Sequence, residues 1–566
     1  MYTSGTMFVR ITNSGKDGKY HYVQLVESNR AKDTGTVKTT VIHNFGLQEE
    51  VDLKSIERLI ESLASILLDG SPLTTKSVKR FEFLGSREIG PCWLLDGLWK
   101  RLGITNAIES LVKEHRFRTP IERMLFAMVA QRIVAPGSKL SIERWLEKSV
   151  LIEGLPSVDV HRLYAAMDLL IESNEAIQHR VFTQMTKAFD LDLDLDILLL
   201  DTTSTYFEIE EEDQHEGALR KRGHSKDNHP ELAQVVVAFA VTKTGIPVRC
   251  WVWPGNTSDQ QIVQEVKHDL GQWNLGRIIM AQDTGFNSEH NRQVLLQSAG
   301  DYIIGEKLRV GSKGEAVEAL HRAGRYRQIE RESRILLCKD VSIDAGTALE
   351  RRYVIVQNPE SATRDAANRN DIVAAARKKL EGLSQLSDEP HRKAACELRS
   401  HGTYGRYIGQ RHDGTLFIDD DKIAREALLD GKFLISTSLL KLPVEDVVYG
   451  YKQLFEIERV FKDLKHVVEV RPVYHRLDDR IRAHVLICFL AMVLVRCAER
   501  SVNMTWRDIG YTVTDIRVGK TVSADGELWL TSPLDSAQKE LFKTLKIKHP
   551  PKVWDYKTRK KLPETV

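Results

Sequence analysis

Cysteine is scarce in this chain of 566 residues, six in all, and no two of them form a CxxC pair. Cys92, Cys250, Cys338, Cys396, Cys488 and Cys497 are scattered, which argues against a disulfide framework and a zinc ribbon and suits a reducing cytoplasm. An excess of charge of one sign is also lacking: the formal net charge is +2, although 28% of residues are charged. Affinity for a polyanion must then come from local patches, not from overall charge. The opening MYTSGTMFVR has no apolar signal core. The most apolar run, VLICFLAMVLV at 485–495, is too short to span a bilayer, has charged flanks and reads as a buried helix. No GxSxG elbow accompanies the 18 histidines, which sets a Ser/His/Asp hydrolase aside. His224, His229, His466 and His475 read as polar surface groups, not metal ligands.

The chain has room for several domains, and its texture changes along its length. Residues 1–75 alternate strand-like pieces with Gly- and Lys-rich turns, as a small β-rich module does. Residues 76–190 turn helical, with basic residues interleaved: Lys113, Arg116, Arg118, Arg132, Lys139, Arg144, Lys148 and Arg162. This predicts a helical domain suited to duplex DNA, with a charged but inert bundle as the plain alternative. Residues 191–300 read as strand, strand, strand, helix, strand. Residues 301–432 break that rhythm with strand-like pieces, one charged helix near 364–383 and dense arginine, and read as a β-rich insertion. Residues 433–500 restore the core. The tail, 501–566, is mixed and ends basic, as suits packing, self-association or DNA binding, and its residues do not choose among them.

Two strands of the 191–300 segment end alike. The run ILLL at 197–200 stops at Asp201, and RIIMAQ at 277–282 stops at Asp283. In a mixed sheet the first and fourth strands can lie side by side and bring the two acids together. Adjacent carboxylates repel, and their burial is costly unless a cation neutralises them, so hard oxygen donors of this kind suit Mg²⁺ or Mn²⁺. Between these strands, Thr257 or Ser258 is placed to cap a helix running to about Trp273.

A third acid belongs to the stretch 449–468, YGYKQLFEIERVFKDLKHVV. Leu454, Ile457, Phe461, Leu464 and Val468 recur at three- and four-residue steps, the mark of an amphipathic helix. At about 100° per residue, Tyr451, Glu458 and Lys465 fall within roughly 40° of one another at the rim of the apolar stripe. Glu456 projects away from that row and reads as the solvated carboxylate.

The order and spacing of these motifs resemble the DDE core of bacterial insertion-sequence transposases, with an RNase H-like fold. The row Tyr451, Glu458 and Lys465 is similar to the Y-x2-R-x3-E-x6-K signature of the IS-four-type group; Leu454 stands where the signature has arginine. The resemblance covers about 200–500, including LLLDTTSTYFE, the stretch from GHSKDNHPELAQ to PGNTSD and the surroundings of Asp283. It implies a multidomain α/β protein whose RNase H-like mixed sheet is interrupted by the β-rich insertion and preceded by the β-rich module and the helical domain.

By that resemblance Asp201, Asp283 and Glu458 would hold two Mg²⁺ or Mn²⁺ ions for in-line phosphoryl transfer. Tyr451 and Lys465 would position the transposon end, with Arg459, Lys462 and Arg471 as further DNA contacts. The partners implied are duplex DNA, as transposon ends and target, and a second copy of the chain in a homodimer assembled on DNA. No membrane is implied, and the setting is the bacterial cytoplasm, at the nucleoid during the reaction. The alternatives are a divalent-metal nuclease or resolvase of the same fold and a domesticated DNA-binding protein. The latter would be expected to have lost at least one acid.

Overall fold

The computed structural model describes residues 6–14, 20–30, 37–47, 82–112, 120–189, 197–209, 211–273, 278–296, 300–308, 315–322, 324–331, 334–346, 350–383, 388–522 and 526–558. Lys113, Arg116, Arg118, the stretch 191–196 and the basic residues 559–561 lie outside the described residues. The chain divides into two compact units. One comprises Met1–Ala188, Val467–Glu469 and Tyr474–Val566, and the other Phe189–His466 and Val470–Val473.

In the first unit, Thr6–Ser14, Tyr20–Arg30 and Val37–Leu47 form an antiparallel three-stranded meander. The tail packs: Arg517–Val522, Gly526–Thr531 and Val553–Thr558 join Glu82–Glu88 in a four-stranded sheet. The apolar run at 485–495 belongs to a helix, Asp478–Val502, whose 25 residues are long enough to cross a bilayer. The short-run argument therefore does not hold, and burial is the relevant observation. The helix packs on Ile121–Val134 and Val160–Glu172, and 94% of its most apolar window is buried.

Two expected surface cations of this unit are interior. Arg132 and Lys139 are 3% and 4% exposed; Arg132 is carried inside by the Ile121–Val134 helix, which is buried around nearly its whole circumference. Arg132 donates to the Glu469 carbonyl at 2.8 Å. His475, expected at the surface, packs edge-on against Tyr164 at 5.9 Å. Burial and the nearby charges of Lys139, Arg480 and Arg132 push it down to about 4.

The second unit is built on one nine-stranded mixed sheet. Its strands are β1 (Ile197–Tyr206), β2 (Gln234–Thr242), β3 (Pro247–Pro254), β4 (Ile279–Gln282), β5 (Asp301–Glu306), β6 (Arg327–Arg331), β7 (Arg334–Ile343), β8 (Arg351–Gln357) and β9 (Lys432–Thr437). Their spatial order is β6-β7-β8-β9-β5-β4-β1-β2-β3. β4 runs parallel to both β1 and β5, and every other pairing is antiparallel. The fully buried residues of β2 and the apolar runs of β1 and β4 have the texture of strands covered on both faces.

The expected insertion at 301–432 is woven into this sheet: β5 to β8 extend it, and β9 slots between β5 and β8. Val354, Ile355 and Val356 are wholly buried, as an interior strand requires. The rest of the segment is as helical as it is extended. It holds α3 (Pro359–Leu383) and α4 (Asp388–Ser400), and the strand expected at 404–419 is only a small hairpin, Ile408–Gln410 with Leu416–Ile418. The helices that matter for the site are α1 (Asp259–Gly271), α2 (Glu289–Leu296), α5 (Val444–Lys452) and α6 (Leu454–His466).

Candidate active site

Sheet register brings the first two acids together. β1 pairs with β4 in parallel, with Leu199 opposite Ala281 and Leu200 opposite Gln282, so Asp201 and Asp283 are the next residues in register. The expected strand end at Asp201 does not hold: the hydroxyl-rich stretch after it continues β1 to Tyr206 because it goes on pairing with β2, and only Asp283 follows a strand end. Side chains four residues apart on a strand share a face. Ile197 packs its Cδ1 where a Cβ on Gly450 would stand, so Asp201 points to the face that α5 covers. α6 packs on β1 and β2, with Phe461 against Phe239 at 5.5 Å between ring centroids.

Burial dominates the state of Asp201. Its carboxyl is pushed up to about 6 by desolvation and by the negative charges of Asp259 and Asp283, against the opposing pull of the Lys226 ammonium and the Thr202 N–H. That N–H donates to Asp201 Oδ1 at 2.7 Å. Asp283 accepts a hydrogen bond from the Tyr451 hydroxyl at 3.3 Å. Tyr451 stacks on Phe433 at 5.8 Å and lies over Gly305, whose missing Cβ makes room for the hydroxyl. Burial, then the charges of Asp283 and Glu458, holds that phenol well above its ordinary range.

The expected continuous helix at 449–468 is two helices, interrupted at Gln453 between α5 and α6. Tyr451 therefore sits on one helix and Glu458 and Lys465 on the next, so their spacing does not describe one helical row. Leu454, where the signature arginine is missing, opens α6 and is buried. The assignment of Glu456 as the solvated acid is reversed: Glu456 is 8% exposed and Glu458 is exposed. Val460, which the apolar stripe left out, is wholly buried and widens the buried face of α6 on the side of Glu456, so α6 turns Glu456 with Ile457 and Val460 onto the sheet. Glu458 stays close enough to Tyr451 for its charge to act there.

Lys465 and Arg471 both meet Asp227, with Lys465 Nζ 2.8 Å and Arg471 Nη1 3.1 Å from its two carboxylate oxygens. The Arg471 guanidinium also lies over the Tyr206 ring at 4.7 Å. Arg459 and Lys462 are exposed on α6.

Sequence reasoning missed two residues, Asp259 and Lys226. Asp259 is the first residue of α1, whose start is fixed by a capping box between Ser258 and Gln261. It accepts from Thr202 Oγ1 at 2.5 Å and lies against Gly285, where a Cβ would sit 2.9 Å from its Oδ2. Lys226 donates to the Thr202 carbonyl at 2.7 Å and to its Oγ1 at 2.6 Å. Its ammonium is 3.4 Å from Asp201 and 3.6 Å from Asp259. Both stand inside segments noted for other reasons, GHSKDNHP and PGNTSD, and nothing local marks them.

The donor chemistry fits a hard divalent cation. Asp201 and Asp283 are adjacent, Asp201 is destabilised as an anion by burial, and a positive charge already lies between Asp201 and Asp259. Among the described residues no group of three or more His, Cys, Asp or Glu side chains is gathered closely enough to hold a metal.

With this geometry, two family matches are informative. Residues 8–69 match the IS1634 family transposase N-terminal domain, and residues 194–494, more than half of the chain, match the transposase DDE domain. No curated protein matches the chain. A piggyBac transposase synaptic complex with hairpin DNA, solved by cryo-EM, aligns over 80% of this chain and 79% of its own, at 11% identity and a TM-score of 0.31. That likeness is too remote to carry an argument. The chain belongs to the insertion-sequence DDE transposases, metal-dependent enzymes that cut DNA.

Proposed function

We propose that Asp201, Asp283 and Glu458 are the catalytic acids of this transposase, and that it binds the ends of its element, cuts them and joins them to target DNA. The observation that carries the reading is the parallel β1–β4 register, which sets Asp201 beside Asp283 under the helix pair that bears Glu458. The strand order β3-β2-β1-β4-β5, with only β1–β4–β5 parallel, supports an RNase H-like core. The Tyr451, Glu458 and Lys465 spacing supports the IS-four-type grouping, though the helix break and Leu454 depart from it.

Two ions, Mg²⁺ or Mn²⁺, would when bound make an attacking water or 3′-hydroxyl nucleophilic at neutral pH and offset charge on the departing 3′-oxygen. The protein's own part is positional. Asp201 presents its carboxylate oxygens from the middle of β1, and Asp283 presents its own from just past the end of β4. Glu458 adds a third from the exposed side of α6, where DNA arrives. Tyr451 orients Asp283 through its hydroxyl and shields it with its ring. Lys465 and Arg471 supply positive charge for backbone phosphates, and Arg459 and Lys462 extend that charge along α6. Element ends come in pairs, so the working assembly is a homodimer on DNA, at the nucleoid.

The test is strand cleavage of a duplex carrying the gene's own flanks, with and without Mg²⁺, beside Asp283→Ala. Metal-dependent nicks confined to the junction and lost in the variant are expected. Binding without cleavage, unchanged by the substitution, would sink the catalytic reading.

A further inference from the structure

We propose that the Lys226-Asp227 dipeptide is an internal occupant of the site: its ammonium holds the place of a metal cation and its carboxylate the place of a DNA phosphate, so metal and DNA displace the same loop and assist each other's binding. This rests on reading Asp201, Asp283 and Glu458 as the metal-binding acids and Lys465 and Arg471 as phosphate contacts. The juxtaposition is what suggests it. Lys226 neutralises Asp201 and Asp259, while the very next residue neutralises Lys465 and Arg471. Three of these partners, Asp201, Lys465 and Arg471, are groups that the proposed reaction needs for something else.

The loop is anchored at its base and lightly tied above. At the base, Gly223 packs so closely on Gly255 that a Cβ would lie 2.0 Å from its carbonyl oxygen, and Lys221 bridges Gln234. Above the base, Ser225 Oγ accepts from the N–H groups of Asp227 and His229, and Asn228 takes a left-handed φ of 61°. The ties to the sheet are Lys226 N–H to Ser204 Oγ at 2.9 Å, the ammonium's bonds to Thr202, its ion pair with Asp201 and the His229 ring against Tyr206 at 4.7 Å. The Lys226 side chain keeps 32% of its exposure, and ion pairs with solvent access are weak enough to exchange. Adjacent Cα atoms are only about 3.8 Å apart, so one side chain cannot leave far without disturbing the other. Eviction by one ligand therefore removes part of the cost of binding the second, which is positive coupling and must be reciprocal.

The reciprocity supplies the test, with each ligand measured in the absence of the other. Mn²⁺ binding to the full chain is followed by the electron paramagnetic resonance of free Mn²⁺, and binding to a flank duplex by fluorescence anisotropy in EDTA. Lys226→Met should tighten Mn²⁺, and Asp227→Asn should tighten DNA, each by about tenfold. Both results would follow from local charge alone, so the cross-effects decide. Lys226→Met should tighten metal-free DNA binding, and Asp227→Asn should tighten DNA-free Mn²⁺ binding, each by about fivefold, the lower end of usual coupling. Absence of either cross-effect overturns the proposal. Lys226→Gln and Asp227→Ser repeat the test should a first variant fail to fold. Asp283→Ala separates the two readings. If it binds Mn²⁺ as the unsubstituted chain does, the assignment of the acids is wrong. If it loses Mn²⁺ while the cross-effects are missing, the loop proposal alone fails.

Discussion

The two halves of the candidate site are held in different ways. Asp201 stands in the middle of β1 and Asp283 just past the end of the neighbouring parallel strand β4, where register leaves little freedom and burial raises the energy of the charged form of Asp201. Tyr451, Glu458 and Lys465 ride on two helices broken at Gln453, with Glu458 exposed and Lys465 already paired with Asp227. The contrast is one of burial and exposure: the sheet half is preorganised for charge it cannot easily carry alone, and the helix half presents Glu458 at the surface, where we propose that DNA arrives. A buried carboxylate with a raised pKa is the kind of stored cost that active sites keep.

The sharpest way to break this comparison is to remove the acids. Alanine at Asp201, Asp283 or Glu458 should each lower cleavage of flank DNA by about a thousandfold or more, while DNA binding by anisotropy stays within a few-fold. Glu456→Gln should leave the cleavage rate within about threefold, since this buried neighbour is not among the proposed acids.

The next effect concerns stability. The folded carboxyl of Asp201 titrates near 6, above its ordinary 3.8, so between these values the folded state binds more protons than the unfolded state. Its contribution is fully present below about 4 and is lost as pH rises through about 6. Thermal unfolding of the metal-free chain should show that loss. Asp201→Asn should flatten it and raise stability at pH 7 by roughly 2 kcal/mol.

A smaller effect should come from the seam between the halves. In Gly305→Ala the new methyl meets the Tyr451 hydroxyl at 2.4 Å and Thr284 at 2.9 Å. Overpacking of this kind costs about 1–3 kcal/mol and should lift Tyr451 from Asp283, lowering the unfolding temperature and the cleavage rate together. Least of all, Lys465→Met should weaken DNA binding only a few-fold and reduce the slope of log affinity against log salt by about one.

The same contrast separates what could be read in the sequence from what could not. An apolar run ending in an acid is a local signal, and a mixed sheet with neighbouring first and fourth strands was enough to pair Asp201 with Asp283. The capped start of α1 was legible because Ser258 and Gln261 stand at capping-box spacing. The helix half was less legible. Seven-residue spacing carries angular meaning only in an unbroken helix, and the interruption at Gln453 separates Tyr451 from the row, while buried Val460 widens the packed face of α6 and reverses the exposures expected for Glu456 and Glu458. Lys226, Asp227 and Asp259 escaped notice because their roles come from tertiary contacts without a periodic trace: a loop that folds back on β1 through Lys226 and meets Lys465 and Arg471 through Asp227, and the start of α1 against Thr202. The strands at 301–357 could be read as strands but not as members of the core sheet, since pairing partners are set across long separations.

The measurement that tests the central claim most directly is the anomalous scattering of manganese in crystals of the full chain bound to flank DNA. Density between the carboxylates of Asp201 and Asp283, with Glu458 as the third acid, is the predicted result. Manganese held by Glu456, or absent from the Asp201–Asp283 pair while bound elsewhere, would contradict the account.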